Sequence, residues 1–192
     1  MNPAVDIFDR YVDDYDQWFD VNKGIYAAQV DYLRRYITNT DKGLEIGVGS
    51  GMFASRLGIR HGLDPSPRLL VMARQRGVET VQGKGENLPY RAGTFDTALM
   101  MTVICFMEDV TRSFREAYRI IRAGGTLVVA IMEKDGEVAR RERNRNPAGR
   151  FLHHAKFLTA DQVMAALTSA GFSGVCVGEN LHGICIITAQ KE

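Results

Sequence analysis

The sequence predicts a single doubly wound α/β domain, in which helices cover both faces of a mostly parallel sheet. Two observations support this prediction. Short apolar segments alternate with segments of helical periodicity through the middle of the chain, which is typical of parallel strands joined by helical crossovers. The fourth apolar segment, Phe95–Met101, is almost continuously hydrophobic, as expected for a strand that is covered on both faces.

The composition limits the class of protein. The chain has 192 residues, of which 45% are hydrophobic and 24% charged, as in a globular protein with one sizeable core. The formal net charge of +1 gives no overall field that would attract nucleic acid or an anionic membrane. No apolar stretch reaches the roughly 20 residues of a membrane-spanning helix. The cysteines form no Cys-x-x-Cys pair and predict no disulfide framework, so we expect a cytoplasmic protein.

We expect an N-terminal helical cap over residues 1–40 and a ligand-binding domain over residues 41–192. The cap begins with aromatic and aliphatic residues at helical spacing from Val5 to Phe19. A second helical pattern follows, with Val30, Leu33 and Ile37 on one face. The cap therefore consists of helices, and the strands begin after it.

In the second part, short apolar runs bounded by turn-forming residues predict strands. The predicted strands are Gly43–Ile46, Arg60–Leu63, Val78–Gln82, Phe95–Met101, Thr126–Met132, Gly174–Val177 and Gly183–Thr188. Helices are predicted at Met52–Leu57, from Ser66 onward, at Val110–Ile121 and at Thr159–Ala170, with Ser66 and Thr159 as N-caps. Ligands of such sheets bind beyond the carboxyl ends of the strands, where the strand order reverses.

The loop after the first strand is the most informative motif. Gly47 permits a sharp turn, and Gly49 and Gly51 remove side chains where the backbone must approach a ligand. Asp64 follows the loop by about 20 residues, at the end of the second strand, where a carboxylate accepts hydrogen bonds from ribose hydroxyls. The alternative interpretation is a glycine-rich turn without a ligand.

Two residues separate this loop from a dinucleotide site. Met52 stands where the dinucleotide pattern has its third glycine. Glu45 precedes the loop by two residues, and its carboxylate would repel a pyrophosphate but attract an ammonium group or a sulfonium. A nicotinamide-dependent oxidoreductase is the alternative, and the lack of a Tyr-x-x-x-Lys pair also disfavours it.

With these motifs the chain resembles the class I S-adenosylmethionine (SAM)-dependent methyltransferases, especially the small-molecule branch that includes quinone-biosynthesis enzymes. The resemblance covers roughly residues 43–172. It rests on Glu45–Gly51, Asp64-Pro65-Ser66, Gly85–Pro89, Phe95-Asp96, Arg122–Gly125 and Leu158-Thr159. It implies a Rossmann-like sheet of seven strands, with one antiparallel strand near the C-terminus. It also implies methyl transfer from SAM to a small-molecule acceptor, with S-adenosylhomocysteine as product.

The resemblance also implies the cofactor site. The glycine loop holds the methionine part of SAM, Asp64 holds the ribose, and the segment from Lys84 to Leu88 borders the adenine. The residues assigned to the cofactor are Tyr15, Glu45, Gly47, Gly49, Gly51, Asp64, Pro65, Gly85, Glu86, Asn87, Leu88 and Met101. Many relatives carry an acidic residue at the position of Lys84, and lysine cannot accept a hydrogen bond from the adenine amino group. Either backbone groups read the adenine here, or this contact is absent.

The residues after the fourth strand line the methyl-transfer side in this family. Our substrate-side predictions are Tyr11, Thr102, Cys105 and His154. Small-molecule relatives often have a histidine pair at Cys105-Phe106, and we interpret Cys105 as a small buried hydrophobe rather than a nucleophile. The Asn/Asp-Pro-Pro-aromatic run of base and amide methyltransferases is absent, which disfavours a nucleic-acid substrate.

The remaining polar clusters are interpreted as structural. The four histidines, His61, His153, His154 and His182, lack the spacing of a metal site, and we predict no metal. The basic segment of Arg140, Arg141, Arg143, Arg145 and Arg150 is interpreted as a solvated face, with an anionic substrate or RNA as the alternative. In-line methyl transfer needs alignment more than a base, so we predict an enzyme, with a non-catalytic SAM-binding regulator as the alternative.

Overall fold

The computed structural model describes residues 3–144, 150–181 and 183–192. Arg145 and His182, which the sequence singled out, lie outside these residues. The described chain folds around one seven-stranded sheet with the strand order β3-β2-β1-β4-β5-β7-β6. The strands are β1 Gly43–Ile46, β2 His61–Asp64, β3 Glu79–Gln82, β4 Phe95–Met101, β5 Ile121–Ile131, β6 Ser173–Leu181 and β7 Ile184–Gln190.

The direction of the strands confirms the predicted class. The pairs β1–β2, β1–β4, β2–β3 and β4–β5 are parallel, whereas β7 runs antiparallel to both β5 and β6. The strand order reverses between β1 and β4, since the chain builds β1, β2 and β3 outward on one side and then returns to β4 on the other. The carboxyl ends of β1 and β4 therefore border the crevice where ligands of doubly wound sheets bind.

Helices cover both faces of the sheet. They are α1 Pro3–Arg10, α2 Val12–Val21, α3 Lys23–Leu33, α4 Met52–Leu57, α5 Pro67–Gln75, α6 Val110–Ile120, α7 Glu137–Arg143 and α8 Ala160–Ser169. On one face Phe114 of α6 and Leu167 of α8 pack with Met100 of β4. On the other face Leu33 of α3 and Leu70 of α5 belong to a second buried cluster. Successive residues of β4 thus contribute to opposite clusters, as a strand covered on both faces requires.

The predicted helix caps are confirmed. The hydroxyl of Ser66 accepts from the Leu69 N–H at 3.2 Å, at the start of α5. The hydroxyl of Thr159 accepts from the Gln162 N–H at 3.2 Å, and the Gln162 side chain accepts from the Thr159 N–H at 3.0 Å. This reciprocal pair is a capping box, which satisfies two N–H groups that the first turn of a helix leaves without partners.

The N-terminal part differs from the expectation of one helix from Val5 to Phe19. The helix is interrupted at Tyr11, whose φ of −118° and ψ of 45° are not helical. The interruption lets α1 turn toward α5, where Asp9 accepts hydrogen bonds from Ser66 and Arg68. The local periodicity of the sequence does not reveal this contact between distant segments.

The division of the chain at residue 40 stays a prediction. No helix in the described ranges is long and apolar enough to cross a membrane.

Candidate active site

The glycine loop after β1 forms a tight turn against β2. Gly47, Gly49 and Gly51 all have positive φ, at 78°, 52° and 82°, a region that residues with a Cβ atom rarely adopt. The Gly47 N–H donates to the Leu63 carbonyl at 2.7 Å, so the loop folds back over β2. A Cβ atom on Gly47 would lie 2.3 Å from Cγ2 of Val103. Packing inside the protein, as well as the approach of a ligand, therefore requires glycine at this position.

Asp64 ends β2 beneath this loop and is held by two backbone groups. Its Oδ2 accepts from the Gly49 N–H at 2.9 Å, and its Oδ1 accepts from the Ser66 N–H at 2.9 Å. Burial raises the pKa of Asp64 to about 6, although these two hydrogen bonds oppose the shift. Each carboxylate oxygen has a second lone pair, so Asp64 can still accept from a ligand that lies in the cavity.

Glu45 is buried at the base of the loop, with 2% of its surface exposed. Its Oε2 has no hydrogen-bond partner within the part of the chain that the structure describes. Burial raises the pKa of Glu45 well above its usual value, against the effect of a hydrogen bond from the Ala54 backbone. A buried polar atom without a partner costs about 1–3 kcal/mol. A cationic donor at this place would remove that cost, so the carboxylate matches an ammonium-bearing ligand.

Tyr15 of α2 covers the glycine loop from the opposite side. A Cβ atom on Gly49 would lie 2.8 Å from the Tyr15 hydroxyl oxygen. Burial raises the pKa of Tyr15, and the neighbouring carboxylates of Asp64 and Glu45 raise it further. Arg76 holds this arrangement, since it donates to the Ser50 carbonyl of the loop at 2.8 Å and to Asp16 Oδ2 at 2.6 Å.

A cavity of about 120 Å³ lies between the loop, the ends of β2 and β4, and the helices α1 and α2. Its walls include predicted site residues, namely Tyr15, Gly47, Gly49, Asp64, Pro65, Gly85, Glu86, Met101 and Thr102. Its volume is below the roughly 300–1,000 Å³ of typical ligand pockets, because Ala4, Val5 and Phe8 of α1 cover it. An outward shift of α1 would enlarge the cavity for a nucleoside-sized ligand.

Other predicted residues lie outside the walls of this cavity. Gly51 is the N-cap of α4, and Leu88 is buried in the core. Asn87 is exposed and forms an isolated bridge with Lys84. His154 lies in a short 3₁₀ turn beside His153. The cavity therefore joins eight of the twelve predicted cofactor residues, whereas Glu45, Gly51, Asn87 and Leu88 lie outside its walls, as do the substrate-side residues Tyr11, Cys105 and His154. All of these roles stay predictions.

The residues after β4 occupy different positions. Thr102 lines the cavity and has a φ of 49°. Among the residues that the structure describes, it is the only one other than glycine with a positive φ. Cys105 is buried, and its Sγ donates to the Thr102 carbonyl at 3.4 Å. Burial raises the pKa of the Cys105 thiol to about 12, so the thiol stays protonated at neutral pH. This supports its interpretation as a small hydrophobe, since the thiolate is the nucleophilic form.

Aromatic rings gather along the cavity, where Phe8, Tyr15 and Phe106 line its walls. Phe8 stacks on Phe151 with ring centroids 5.1 Å apart, and it meets the edges of Phe106 and Tyr15 at 5.0 and 5.4 Å. We call these four residues the aromatic cluster. Tyr11 lies near it, under the guanidinium of Arg150 at 4.0 Å from the ring centroid. Sequence reasoning named Tyr15 but did not place Phe8 in the site, although Phe8 belongs to the same helical pattern.

Together, a doubly wound sheet and a glycine loop flanked by two buried carboxylates define an α/β protein that binds a cationic nucleoside. Residues 44–129 match the family model of the methyltransferase domain. The chain is 34% identical over 171 residues to an uncharacterized protein of Methanocaldococcus jannaschii, with 89% of this chain and 83% of that protein covered. It is 36% identical over 184 residues to an uncharacterized protein of Mycobacterium tuberculosis, and covers 65% of that protein.

A solved structure gives the same result. A SAM-dependent methyltransferase from Thermotoga maritima, described as a possible histamine N-methyltransferase, superposes with a TM-score of 0.90 at 33% identity and covers 98% of this chain and 100% of its own. The chain therefore belongs to the SAM-dependent methyltransferases, and SAM is its cofactor. This membership sets aside the nicotinamide-dependent oxidoreductase. Quinone methyltransferases match over 42% or 62% of the chain, so the quinone branch stays a proposal.

Proposed function

We propose that this methyltransferase acts on a small molecule that carries a planar ring. The observation that supports the proposal is the aromatic cluster, which borders the cavity beside Thr102 at the end of β4. Aromatic side chains stack on flat rings and attract cations to their faces. Residues of α1 and α2 form part of the cavity wall beside this cluster, which favours a small-molecule acceptor over a polymer.

The cofactor would be held by residues whose features match its parts. The unpartnered Oε2 of Glu45 suits the ammonium group of the methionine part, and the carboxylate of Asp64 suits the ribose hydroxyls. When bound, SAM supplies a methyl group on a sulfonium sulfur that departs as a neutral thioether. The protein's part is then to align the acceptor and to exclude water, and alignment alone can remove about 7–11 kcal/mol of a barrier.

The side chains near the cavity support alignment rather than covalent catalysis. Cys105 is protonated and faces the Thr102 carbonyl, so we assign it no bond to the substrate. The Tyr15 hydroxyl stays protonated at neutral pH, because burial and the nearby carboxylates raise its pKa, so it provides no phenolate to act as a base. Tyr15 and Thr102 therefore act, in our proposal, as walls and hydrogen-bonding groups that orient the acceptor.

Two kinds of planar acceptor are supported by different relatives. The quinone methyltransferases among the relatives support a hydroquinone ring, as the resemblance of the sequence to the quinone branch also does. The Thermotoga maritima structure, described as a possible histamine N-methyltransferase, supports a small amine that carries an aromatic ring. Both would lie against the aromatic cluster, and we propose this shared planar chemistry as the substrate class.

An RNA substrate is less well supported. Arg140, Arg141 and Arg143 are exposed on α7, and Arg143 donates to the Lys134 carbonyl. Arg150 is paired with Asp14 and lies over Tyr11. These contacts agree with a solvated face that helps to close the N-terminal helices.

The test is a methyl-transfer assay that detects S-adenosylhomocysteine by mass spectrometry. The purified protein is mixed with SAM and with a hydroquinone, histamine or total cellular RNA. We expect turnover with a small planar acceptor and none with RNA. A Phe106→Ala variant should raise the KM for that acceptor while SAM still binds. Methylation of RNA alone would refute the proposal. If calorimetry shows that SAM binds but no acceptor class yields S-adenosylhomocysteine, the result would instead favour a SAM-binding regulator.

A further inference from the structure

The cavity has two ends, and their chemistry fixes which part of the cofactor each end receives. At one end the cavity is lined by Gly47 and Gly49 of the glycine loop, and the buried carboxylate of Glu45, two residues before the loop, suits the charged amino acid part of SAM. Asp64 lies between the ends and suits the ribose. The cavity is also lined by Lys84, Gly85 and Glu108 among others, and the resemblance to the family implies that the adenine lies on this side.

At this end the position after β3 is a lysine, which cannot accept a hydrogen bond from the amino group of adenine. Glu86 is engaged with the backbone of the turn after β4, because its Oε1 accepts from the Glu108 N–H at 2.8 Å and lies 3.4 Å from the Asp109 N–H. The carboxylate of Glu108 lines the same end of the cavity. Its Oε1 accepts from Lys84 Nζ at 3.0 Å.

We propose that Glu108 reads the adenine amino group in this protein, with Lys84 as the residue that positions its carboxylate. Glu86 fixes the backbone of Glu108, Lys84 fixes one carboxylate oxygen, and the second oxygen is left to accept from the ligand. The turn after β4 thereby supplies the acceptor that the end of β3 lacks. The Lys84 ammonium group lies at the same end and can donate to a ring nitrogen.

The charge and the exposure of the pair determine how large its effect is. The hydrogen bond from Lys84 lowers the pKa of Glu108, so its carboxylate is ionised at neutral pH and acts as an acceptor only. The two side chains are about half exposed, at 50% and 56%, so solvent weakens the interaction. A hydrogen bond to a charged group in this setting is worth about fivefold to tenfold in affinity.

The base specificity follows from the same chemistry. In S-inosylhomocysteine a carbonyl oxygen replaces the amino group, so an acceptor faces the acceptor oxygen of Glu108. We therefore expect S-adenosylhomocysteine to bind more tightly than S-inosylhomocysteine by about tenfold. The ratio of the two dissociation constants measures how the base is read and is independent of the methyl acceptor. This inference depends on the cofactor and not on the proposed substrate.

The experiment is calorimetric titration of both compounds into the wild type and three variants. In Glu108→Ala the ratio should fall to about twofold or less, mainly because the adenosyl compound binds more weakly. In Lys84→Met the ratio should fall part of the way, since the carboxylate loses its anchor. Glu79→Ala is the matched control, because Glu79 is an exposed carboxylate of β3 that pairs with Arg60 outside the cavity, and its ratio should equal that of the wild type.

Thermal unfolding of all variants confirms that they are folded. A ratio that stays at the wild-type value in both Glu108→Ala and Lys84→Met overturns the inference. Failure of every protein, including the wild type, to bind S-adenosylhomocysteine would be a different result, since it would contradict the cofactor itself.

Discussion

The backbone N–H of Gly49 donates to Oδ2 of Asp64 over 2.9 Å, which joins the glycine loop to the end of β2. The two features that the sequence predicted separately are therefore one unit. The loop orients the carboxylate, and the carboxylate holds the loop at Gly49, which lines the cavity. A change of charge at Asp64 is consequently felt by both.

This unit predicts how stability depends on pH. Burial raises the pKa of Asp64 from 3.8 to about 6. Between these values the folded protein binds the proton more tightly than the unfolded chain does. The contribution of Asp64 to stability is thus fully present below about pH 4 and is lost as the pH rises through about 6, at a cost on the order of 3 kcal/mol. Urea unfolding of the unliganded protein across this range, compared with Asp64→Asn, measures the contribution.

Cofactor binding should depend on pH with the opposite sign. The ionised carboxylate accepts from the ribose and attracts the cationic cofactor, so binding expels a proton at acidic pH. We expect the affinity for SAM to increase from about pH 5 to pH 7, by at most about tenfold per unit. Glu45, whose pKa burial also raises, adds to the same trend. Calorimetry in buffers of different ionisation enthalpy counts the released protons, and no release at pH 5.5 would contradict the prediction.

Gly49 and Gly77 form a matched pair for testing the loop. Both have positive φ, at 52° and 83°, so alanine costs about 1 kcal/mol of strain at either position. A Cβ atom on Gly77 meets nothing within 4 Å, whereas one on Gly49 lies 2.8 Å from the Tyr15 hydroxyl. We expect Gly49→Ala to lose more stability than Gly77→Ala in thermal unfolding, because Tyr15 must shift, and we expect only Gly49→Ala to lose SAM binding, by a factor of about 100. Equal binding by the two variants would show that the loop does not approach the cofactor.

The attachment of α1 predicts a change in the rate of cofactor entry. Asp9 Oδ1 accepts from the Ser66 hydroxyl at 2.6 Å and from the Arg68 N–H at 3.1 Å. In Asp9→Ala this attachment is lost at a cost of about 1–2 kcal/mol, and α1 opens more often. We expect faster hydrogen exchange in α1 and faster SAM association in stopped-flow measurements.

The control for this change is Asp13→Ala, because Asp13 is an exposed aspartate of α2. Its hydrogen exchange and its association rate should equal those of the wild type. If Asp9→Ala associates with SAM no faster, opening of α1 does not limit entry.

Local signals explain most of what the sequence predicted. The alternation of strands and helices, the caps at Ser66 and Thr159, and the glycines that take positive φ each depend on a few neighbouring residues. These features could therefore be predicted from the sequence without knowledge of the fold. Asp64 was located in the same way, because its distance from the loop is set by one βαβ unit.

The features that were missed all depend on contacts between distant segments. The interruption at Tyr11 reflects the attachment of Asp9 to the start of α5. Asp9 and its partner Ser66 are 57 residues apart in the sequence. Arg76 joins the loop to α2, although the residues next to it in the sequence predict only the end of a helix. Glu108 reaches Lys84 across 24 residues. No periodicity encodes such pairs, and the cavity appears only when the chain is folded.

Thr102 provides a test of whether strain at the end of β4 serves catalysis. Its φ of 49° places a β-branched residue where glycine is favoured, which costs about 1–3 kcal/mol. The backbone is held there because its N–H donates to the Ala130 carbonyl at 2.8 Å and its carbonyl accepts from Cys105. The conformation presents the side chain to the cavity. Thr102→Gly should therefore be more stable than Thr102→Ala by about 1 kcal/mol, as thermal unfolding would show.

The activities of the same variants separate a structural role from a positioning role. If the Thr102 side chain orients the acceptor, both variants lower kcat by a similar factor of about 10, although their stabilities differ. Thr102→Ser, which keeps the hydroxyl but removes the methyl group, should recover most of the rate, and the dissociation constant of SAM should change little throughout. A glycine variant that is both more stable and as active as the wild type would mean that the strain arises only from the path of the chain between β4 and the following turn. Loss of activity in step with loss of stability would lead to the same conclusion, because a positioning role requires the two quantities to vary independently.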